Sequence, residues 1–300
     1  MNALSVVITA HNNQDQIAQT VNSAAFADEI IVIDNQSTDH TARLAKKAGA
    51  RVIPHKNNPT NLNDSKNFGF TKARGPWILS LDSDERVEPD LKQEIELLLQ
   101  HEHIPEDGFY LPRKNIIFGK WIDHGLWYPD HQLRLFKKGK GRFAAIHNHE
   151  LLKVDGVAGK LKGHLTHFNY STISQYTQKI DKQYSDNEVN VFLKKGGRIA
   201  WHDALRFPFQ DFLTNYFLRG SYQDGLHGLV LSLLQAFYMF VVFAKIWERQ
   251  GFKSTPVNLA DTQKEFKYLA RQLLYWYNHT QSINAPLAKK LFYKLQNKLL

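Results

Sequence analysis

Four short apolar runs constrain this chain more than any other feature: Leu4–Ala10 (LSVVITA), Glu29–Asp34 (EIIVID), Arg51–Ile53 and Trp77–Leu81 (WILSL). The first is continuous and β-branched, which suits a strand buried on both faces of a parallel sheet. A helix should follow it, with Asn13 as N-cap and Ile17 and Val21 sharing a face. Ser37 and Thr38 can cap a second helix with Asp39 in its first turn, Leu44 and Ala48 pointing inward and Gly49 closing it. A third helix is expected over Ser65–Ala73, ended by Gly75-Pro76. Such strand–helix alternation predicts an α/β domain built on a doubly wound, mainly parallel sheet with right-handed crossovers.

Ligands of these sheets bind at the carboxyl ends of the strands. Asp34 closes the second strand there, and Asp82 and Asp84 close the fourth. An Asp-x-Asp on an exposed turn can share a divalent ion with a diphosphate. By itself the tripeptide is weak, since both carboxylates could merely cap the helix that Pro89-Asp90 begins. Its place after an apolar strand, beside the end of a neighbour that carries Asp34-Asn35, makes three acceptor groups converge on one crevice.

Beyond Gly108 the texture changes to short strand-like pieces, Phe109–Pro112, Gln132–Phe136 and Leu151–Val154, separated by Gly-, His- and Trp-rich loops. From Thr172 the pattern is helical: Ile173–Leu193, Phe207–Leu218, Leu226–Trp247, Thr262–Tyr277 and Pro286–Leu300. There is no internal repeat and no low-complexity tract. The chain has no cysteine, which excludes disulfides, a thiolate nucleophile, iron–sulfur clusters and Cys-based zinc sites, and is compatible with the cytoplasm. Leu4–Ala10 has no basic residues before it and stops at His11-Asn12-Asn13, so it reads as a strand and not as a signal peptide. His147, His149, His164 and His167 invite a zinc reading, but no H-E-x-x-H helix is present, and hydrogen bonding or exposure suits them better. Neither a G-x-S-x-G elbow nor a Gly-rich phosphate loop occurs.

The segments Leu4–Asn13 (LSVVITAHNN), Glu29–Thr41 (EIIVIDNQSTDHT), Ser65–Gly75 (SKNFGFTKARG) and Trp77–Glu85 (WILSLDSDE) together resemble the successive motifs of family 2 glycosyltransferases. Gln132–Phe136 (QLRLF), His147–Leu151 (HNHEL) and Tyr216–Gly228 extend the likeness, which is similar to bacterial lipopolysaccharide-core β-glucosyltransferases. The resemblance implies a GT-A fold, Rossmann-like, over about 1–170, with a donor half to about 105 and an acceptor half over 106–170. A helical region at 171–300 would complete the acceptor site. It further implies inverting, metal-dependent transfer of a hexose, glucose foremost, from a UDP-sugar to a lipopolysaccharide-core or lipid-linked acceptor. Asp34 would face the nucleobase, Asp82 the ribose, and Asp84 a divalent Mg²⁺ or Mn²⁺ bridging the phosphates. Ala10, His11, Asn12, Asn35, Lys66, Asn67 and Ser83 would complete the donor site, and His147, His149 and Arg134 would meet the acceptor. Asn35-Gln36 stands where many members read Asp-Gly. Transfer also needs a base for the acceptor hydroxyl, for which Glu150 is the first candidate and Asp130 the second.

Charge is uneven. The first 150 residues hold 18 basic and 19 acidic side chains, whereas the last 50 hold 8 and 2, so the net +9 comes from the second half. Residues 225–244 carry no formal charge and are long enough to cross a bilayer, yet His227, Gly228, Ser232 and Gln235 interrupt them. An interfacial helix fits best, with an internal or a transmembrane helix as alternatives. In the final helix Lys289, Lys290, Lys294 and Lys298 alternate with apolar residues, as on a helix attracted to anionic lipid. The expected location is therefore cytoplasmic, peripheral on the inner face of the membrane. Two rivals remain: a nucleotidyltransferase with a similar acidic site, and a basic nucleic-acid binder, which would leave Asp34, Asp82 and Asp84 without a purpose. No nucleic-acid partner is expected.

Overall fold

Along the first strand, β1 (Leu4–Ala10), successive side chains enter opposite cores: Val6 and Ile8 join one apolar cluster, Val7 the other. This is what an unbroken apolar run does when both faces of a sheet are covered. The computed structural model describes residues 2–58, 62–144 and 151–300. They divide into two compact units, one reaching Ile116 and including Tyr128–Asn169, the other comprising Ile117–Trp127 and Tyr170–Leu300.

In the first unit β1, β2 (Glu29–Asp34), β3 (Arg51–Pro54) and β4 (Trp77–Asp82) run parallel in the order β3-β2-β1-β4. The intervening helices are α1 (Ile17–Ser23), α2 (Thr41–Lys47) and α3 (Leu62–Lys72). Ile17 and Val21 of α1 pack on Val6 and Ile8, while Phe70 of α3 packs on Val7 and Ile33. Then follow β5 (Glu85–Val87), α4 (Pro89–Gln100), β6 (Gly108–Ile117), β7 (Lys120–Ile122, in the second unit), β8 (Asp130–Lys137), β9 (Gly141–Arg142), β10 (Lys153–Val154), β11 (Ala158–Lys160) and β12 (Leu165–Tyr170). Here β8 lies antiparallel to β4 and to β6, and β12 antiparallel to β5. The sheet is thus mixed: beyond α4 the pairings of β8 and β12 are antiparallel, while β11 adds to β6 in parallel.

Two expected caps are used differently. Asn13 does not cap α1, which begins at Ile17 after Gln16; its amide donates instead to Ser83 Oγ (2.8 Å). The residue before α2 is His40; Ser37 accepts from Asn12 N, and Asp39 accepts both from Gln14 N and, at the start of α2, from Thr41 N (2.9 Å). These polar side chains bind loop to loop.

The second unit is helical: α5 (Ile173–Lys179), α6 (Ser185–Lys194), α7 (Asp203–Leu213), α8 (Leu226–Arg249), α9 (Leu259–Ile283) and α10 (Leu287–Leu299). The continuous helices expected over Ile173–Leu193 and Phe207–Leu218 are each altered by a π-helical turn, Ile180–Tyr184 and Thr214–Leu218. Ser185 Oγ donates to the carbonyls of Ile180 (2.8 Å) and Asp181 (3.2 Å), and Asn215 Nδ2 to that of Asp211 (3.0 Å). Side chains that enter the main-chain ladder in this way lengthen the turn. The core of this unit gathers Ile117, Ile122, Tyr170, Tyr176, Ile180 and Leu231.

Candidate active site

Register brings the acidic strand ends together. Thr9 of β1 stands opposite Asp82 of β4 and Ala10 opposite Asp34 of β2, so the two aspartates flank the end of the central strand. The loops beyond are tied to one another. Asn35 N donates to Ala10 O (2.9 Å), His11 Nδ1 bonds Asn35 O (2.7 Å), and Asn12 Oδ1 accepts from Thr38 N (2.8 Å). Thr20 Oγ1 donates to Ser83 O (2.7 Å), which fastens the acidic turn to α1. Ala10, His11, Asn12, Asp34, Asn35, Asp82 and Ser83 thus belong to one hydrogen-bonded rim. Asn35 is buried, and among the described residues its Oδ1 has no hydrogen-bond partner.

Beneath the turn lies a network of buried charge. Arg134 on β8 reaches Asp82 Oδ2 and Glu85 Oε1 through Nη2, both at 2.6 Å. Glu85, fully buried, also accepts from Asp82 N (2.9 Å) and from Arg113 Nη1 (3.0 Å). Lys66 of α3 bonds the other oxygen of Asp82 at 2.5 Å. Burial alone would raise the pKa of Asp82, but Arg134 and Lys66 hold it well below the usual carboxylate range.

Asp84 points elsewhere. Its carboxylate is about one-third exposed, and Oδ2 lies 3.6 Å from His167 Nε2. His167 Nδ1 bonds Asn115 Oδ1 (2.7 Å), and Asn115 in turn donates its amide to Asp130. With Nδ1 bonded to the side-chain oxygen of Asn115, Nε2 faces Asp84, the placement of a ring oriented for a metal through its other nitrogen. A carboxylate oxygen and an oriented imidazole nitrogen suit a divalent cation such as Mn²⁺, so the residues present fit the metal expected at Asp84.

Three expected roles need correction. Arg134 cannot meet an acceptor, because it is 5% exposed and occupied by Asp82 and Glu85. Asn67 turns from the donor side: its amide donates to Phe143 O and accepts from Phe143 N, both at 3.0 Å. Asp130 is a poor base, since burial, which would raise its pKa, is outweighed by Arg113 at 2.6 Å and by Gln132 and Asn115, which hold it low. Glu150, His147 and His149 lie outside the described residues. His164 takes a hydrogen bond with Tyr128 (3.1 Å) and is 3.4 Å from Asp90, away from His167's partners.

The family described as Glycosyl transferase family 2 matches residues 5–155, half of the chain, including Asp34, Asp82 and Asp84. The chain belongs to this family. It is therefore a glycosyltransferase, which decides against nucleotidyl transfer. The lipopolysaccharide core biosynthesis glycosyltransferase LpsC of Rhizobium meliloti (strain 1021) is 27% identical over 259 residues, covering 84% of this chain and 95% of that protein. An uncharacterized glycosyltransferase of Rickettsia typhi is 28% identical over 273 residues, covering 87% and 92%. Among solved structures, S. aureus TarS 1-349 superposes over 81% of this chain and 91% of its own, with 14% identity and a TM-score of 0.43. M. tuberculosis glucosyl-3-phosphoglycerate synthase with phosphoglyceric acid covers 66% and 82%, with 17% identity and a TM-score of 0.43. The parallel core with antiparallel additions and a helical C-terminal region is the GT-A architecture expected of the family.

For this glycosyltransferase Glu85, Arg113, Asn115 and His167 are the site residues that sequence reasoning missed as such. Glu85 stands in the quoted Trp77–Glu85 segment, and its burial was its only hidden property. Arg113 and Asn115 alternate on one face of β6, with nothing in the sequence to say that Asp130 lies opposite. The charge network also sets an acid limit. A carboxylate whose pKa is lowered on folding stabilises the native state above its unfolded pKa, near 3.9, and loses that contribution as pH falls through the folded value. Both Asp82 and Asp130 are of this kind. Urea midpoints should therefore change little on account of these groups from pH 7 to pH 5 and fall below about pH 4. Replacing Asp82 by Asn should flatten that acid limb, and an unchanged limb would show that Asp82 does not supply it.

Proposed function

We propose that the enzyme transfers a hexose, with glucose as the proposed donor sugar, from a UDP-sugar to a lipopolysaccharide-core or lipid-linked acceptor, with inversion. The observation that carries this reading is the joining of the Asp82–Asp84 turn to the loop after β1 and to α1 by Asn13 and Thr20, with the end of β2 tied to the same loop through Asn35 and His11. Asp34 and the unpartnered Asn35 Oδ1 suit a nucleobase at the end of β2, where a ring N–H would satisfy the buried oxygen. Asp82, kept ionised by Arg134 and Lys66, suits the hydroxyls of a ribose. Asp84, with His167 beside it, would hold Mg²⁺ or Mn²⁺, which when bound neutralises the diphosphate. Glu150 remains the proposed base for the acceptor hydroxyl.

Helix α8 favours the membrane-surface part of the proposal. Its inner side packs through Leu231, Val242 and Ile246 beside the buried Gly228 and Ser232, and Gln235 accepts from Tyr176 (3.1 Å). Leu226, Leu233, Phe237, Phe240 and Trp247, spaced as one stripe, are 40–72% exposed. Among the described residues this is the one helix long and apolar enough to cross a membrane by length and composition. On α10, Leu291, Phe292, Leu295 and Leu299 are exposed alongside Lys289, Lys294 and Lys298. An exposed apolar stripe and an exposed basic amphipathic helix are together what an anionic bilayer surface attracts. The location proposed is accordingly the inner face of the cytoplasmic membrane.

Thermal denaturation with a panel of nucleotide sugars and Mn²⁺ tests the donor assignment. UDP-glucose should raise the midpoint in proportion to the logarithm of its concentration, because it binds only the native state. A larger shift with a GDP- or CMP-sugar would overturn the uridine assignment. Co-sedimentation with vesicles tests the surface: binding is expected with phosphatidylglycerol-containing vesicles and should weaken with salt, and no binding to these vesicles would remove the membrane assignment.

A further inference from the structure

A second group of metal-ligating side chains lies in the helical unit and shares no residue with the site at Asp84. The segment Asp123–Gly125, just after β7, is held against the 3₁₀ turn Ser221–Asp224 that leads into α8, with Gly125 N donating to Arg219 O (3.0 Å). The approach tolerates no side chain. A Cβ on Gly125 would lie 2.1 Å from Ser221 Oγ, and one on Gly228 only 1.7 Å from Ser221 O. This packing buries Asp224, whose side chain is 2% exposed, and aims it at the Asp123–His124 pair.

Asp224 Oδ2 is 3.5 Å from His124 Nδ1, and the same nitrogen is 2.8 Å from Asp123 Oδ1. Yet among the described residues neither Asp224 Oδ2 nor His124 Nδ1 has a hydrogen-bond partner: the atoms are near one another without being aligned donor to acceptor. A buried carboxylate oxygen left in this way is costly unless a cation meets it. Lys120 does not do so, since Nζ donates to the main-chain oxygen of Asp224 (2.8 Å) and stays 3.7 Å from Oδ1. Burial, with the Asp123 carboxylate alongside, pushes the Asp224 carboxyl above its usual range, as expected for two like charges placed together.

One ligand atom from each of Asp123, His124 and Asp224 lies within 4.8 Å of the others. Donors at about 2.0–2.2 Å from a common ion stand roughly 2.8–3.6 Å apart in octahedral or tetrahedral geometry. Both distances from His124 Nδ1, 2.8 and 3.5 Å, fall within that spacing. We propose that Asp123, His124 and Asp224 form a binding site for a divalent transition-metal ion of the Zn²⁺ or Mn²⁺ class, which clips the Asp123–Gly125 segment to the start of α8. The ligands are one imidazole and two carboxylates, a set that these ions accept and that leaves further positions for water on the side of the half-exposed Asp123.

The test is calorimetric titration of Zn²⁺, and separately Mn²⁺, without nucleotide, into the full chain carrying Asp84→Ala. One saturable site per chain is expected, together with a raised thermal midpoint. Adding Asp123→Asn or His124→Gln should weaken binding by at least about 100-fold, with the fold checked by circular dichroism. Asp224→Asn alters a buried group and serves only as a supplement, so the half-exposed Asp123 carries the result. Absence of a saturable site for either ion in the Asp84→Ala chain, or unchanged affinity in folded Asp123→Asn and His124→Gln chains, would overturn the proposal.

Discussion

Asp84→Ala is expected to lower hexosyl transfer by about 10³-fold or more and to abolish the dependence of donor binding on Mn²⁺. A metal that neutralises a leaving diphosphate supplies several kcal/mol of charge stabilisation, and each 1.36 kcal/mol is a factor of about ten in rate. The fold should survive. Asp84 is about one-third exposed, and its main-chain oxygen, which accepts from Phe168 N at 3.0 Å, is unchanged by the substitution. Steady-state transfer from a UDP-hexose and Mn²⁺-dependent calorimetry check the two halves of the expectation. Near-normal turnover would take the metal away from Asp84 and would leave His167, 3.6 Å from it, without a role in the reaction.

Arg134→Met should be the most destabilising single change in the sheet. The side chain is 5% exposed and neutralises Asp82 and Glu85 together, each at 2.6 Å. Methionine fills much of the volume but leaves Glu85, fully buried, with Arg113 as its remaining cation. Removal of one partner from a buried ionic network typically costs about 3–5 kcal/mol, because the other charge stays behind. Urea unfolding should show a loss of that size. Adding Glu85→Gln should restore part of it, the sign of coupling expected when the second change removes the stranded charge. A loss below about 1 kcal/mol would mean that the network is solvated in the native state. Donor binding should weaken in the same variant, since Asp82 keeps its orientation through Arg134 and Lys66.

Much of the site was readable before any coordinates. A run such as WILSLDSD places a carboxylate pair at a strand's carboxyl end, because β-branched and large apolar residues give way there to acidic ones that water must reach. Asp34 and Asp82 could be placed at one edge of the sheet in advance because ligand-facing groups of a doubly wound sheet gather at the carboxyl ends of its strands, whereas the register of β1 between them came from the fold. Arg134 was misassigned for the opposite reason. QLRLF alternates as a strand, and the face on which its arginine falls depends on the antiparallel pairing of β8 with β4, which joins residues more than 50 positions apart. Asn67 and Asp130 failed likewise: each is a polar side chain with several chemically plausible partners, and the partner was chosen by packing.

The amino-acid sequence by itself determined the parallel α/β core, the acidic ends of β2 and β4 and the basic amphipathic tail, because each follows from periodicity and residue type within a few turns of chain. Tertiary structure alone decided which charges are buried together, which face of α8 looks outward, and that Asp123 and His124 meet Asp224 from about 100 residues away. Hydrogen bonds and ion pairs are satisfied by whichever groups the fold brings within about 3 Å. Local sequence carries no record of that proximity.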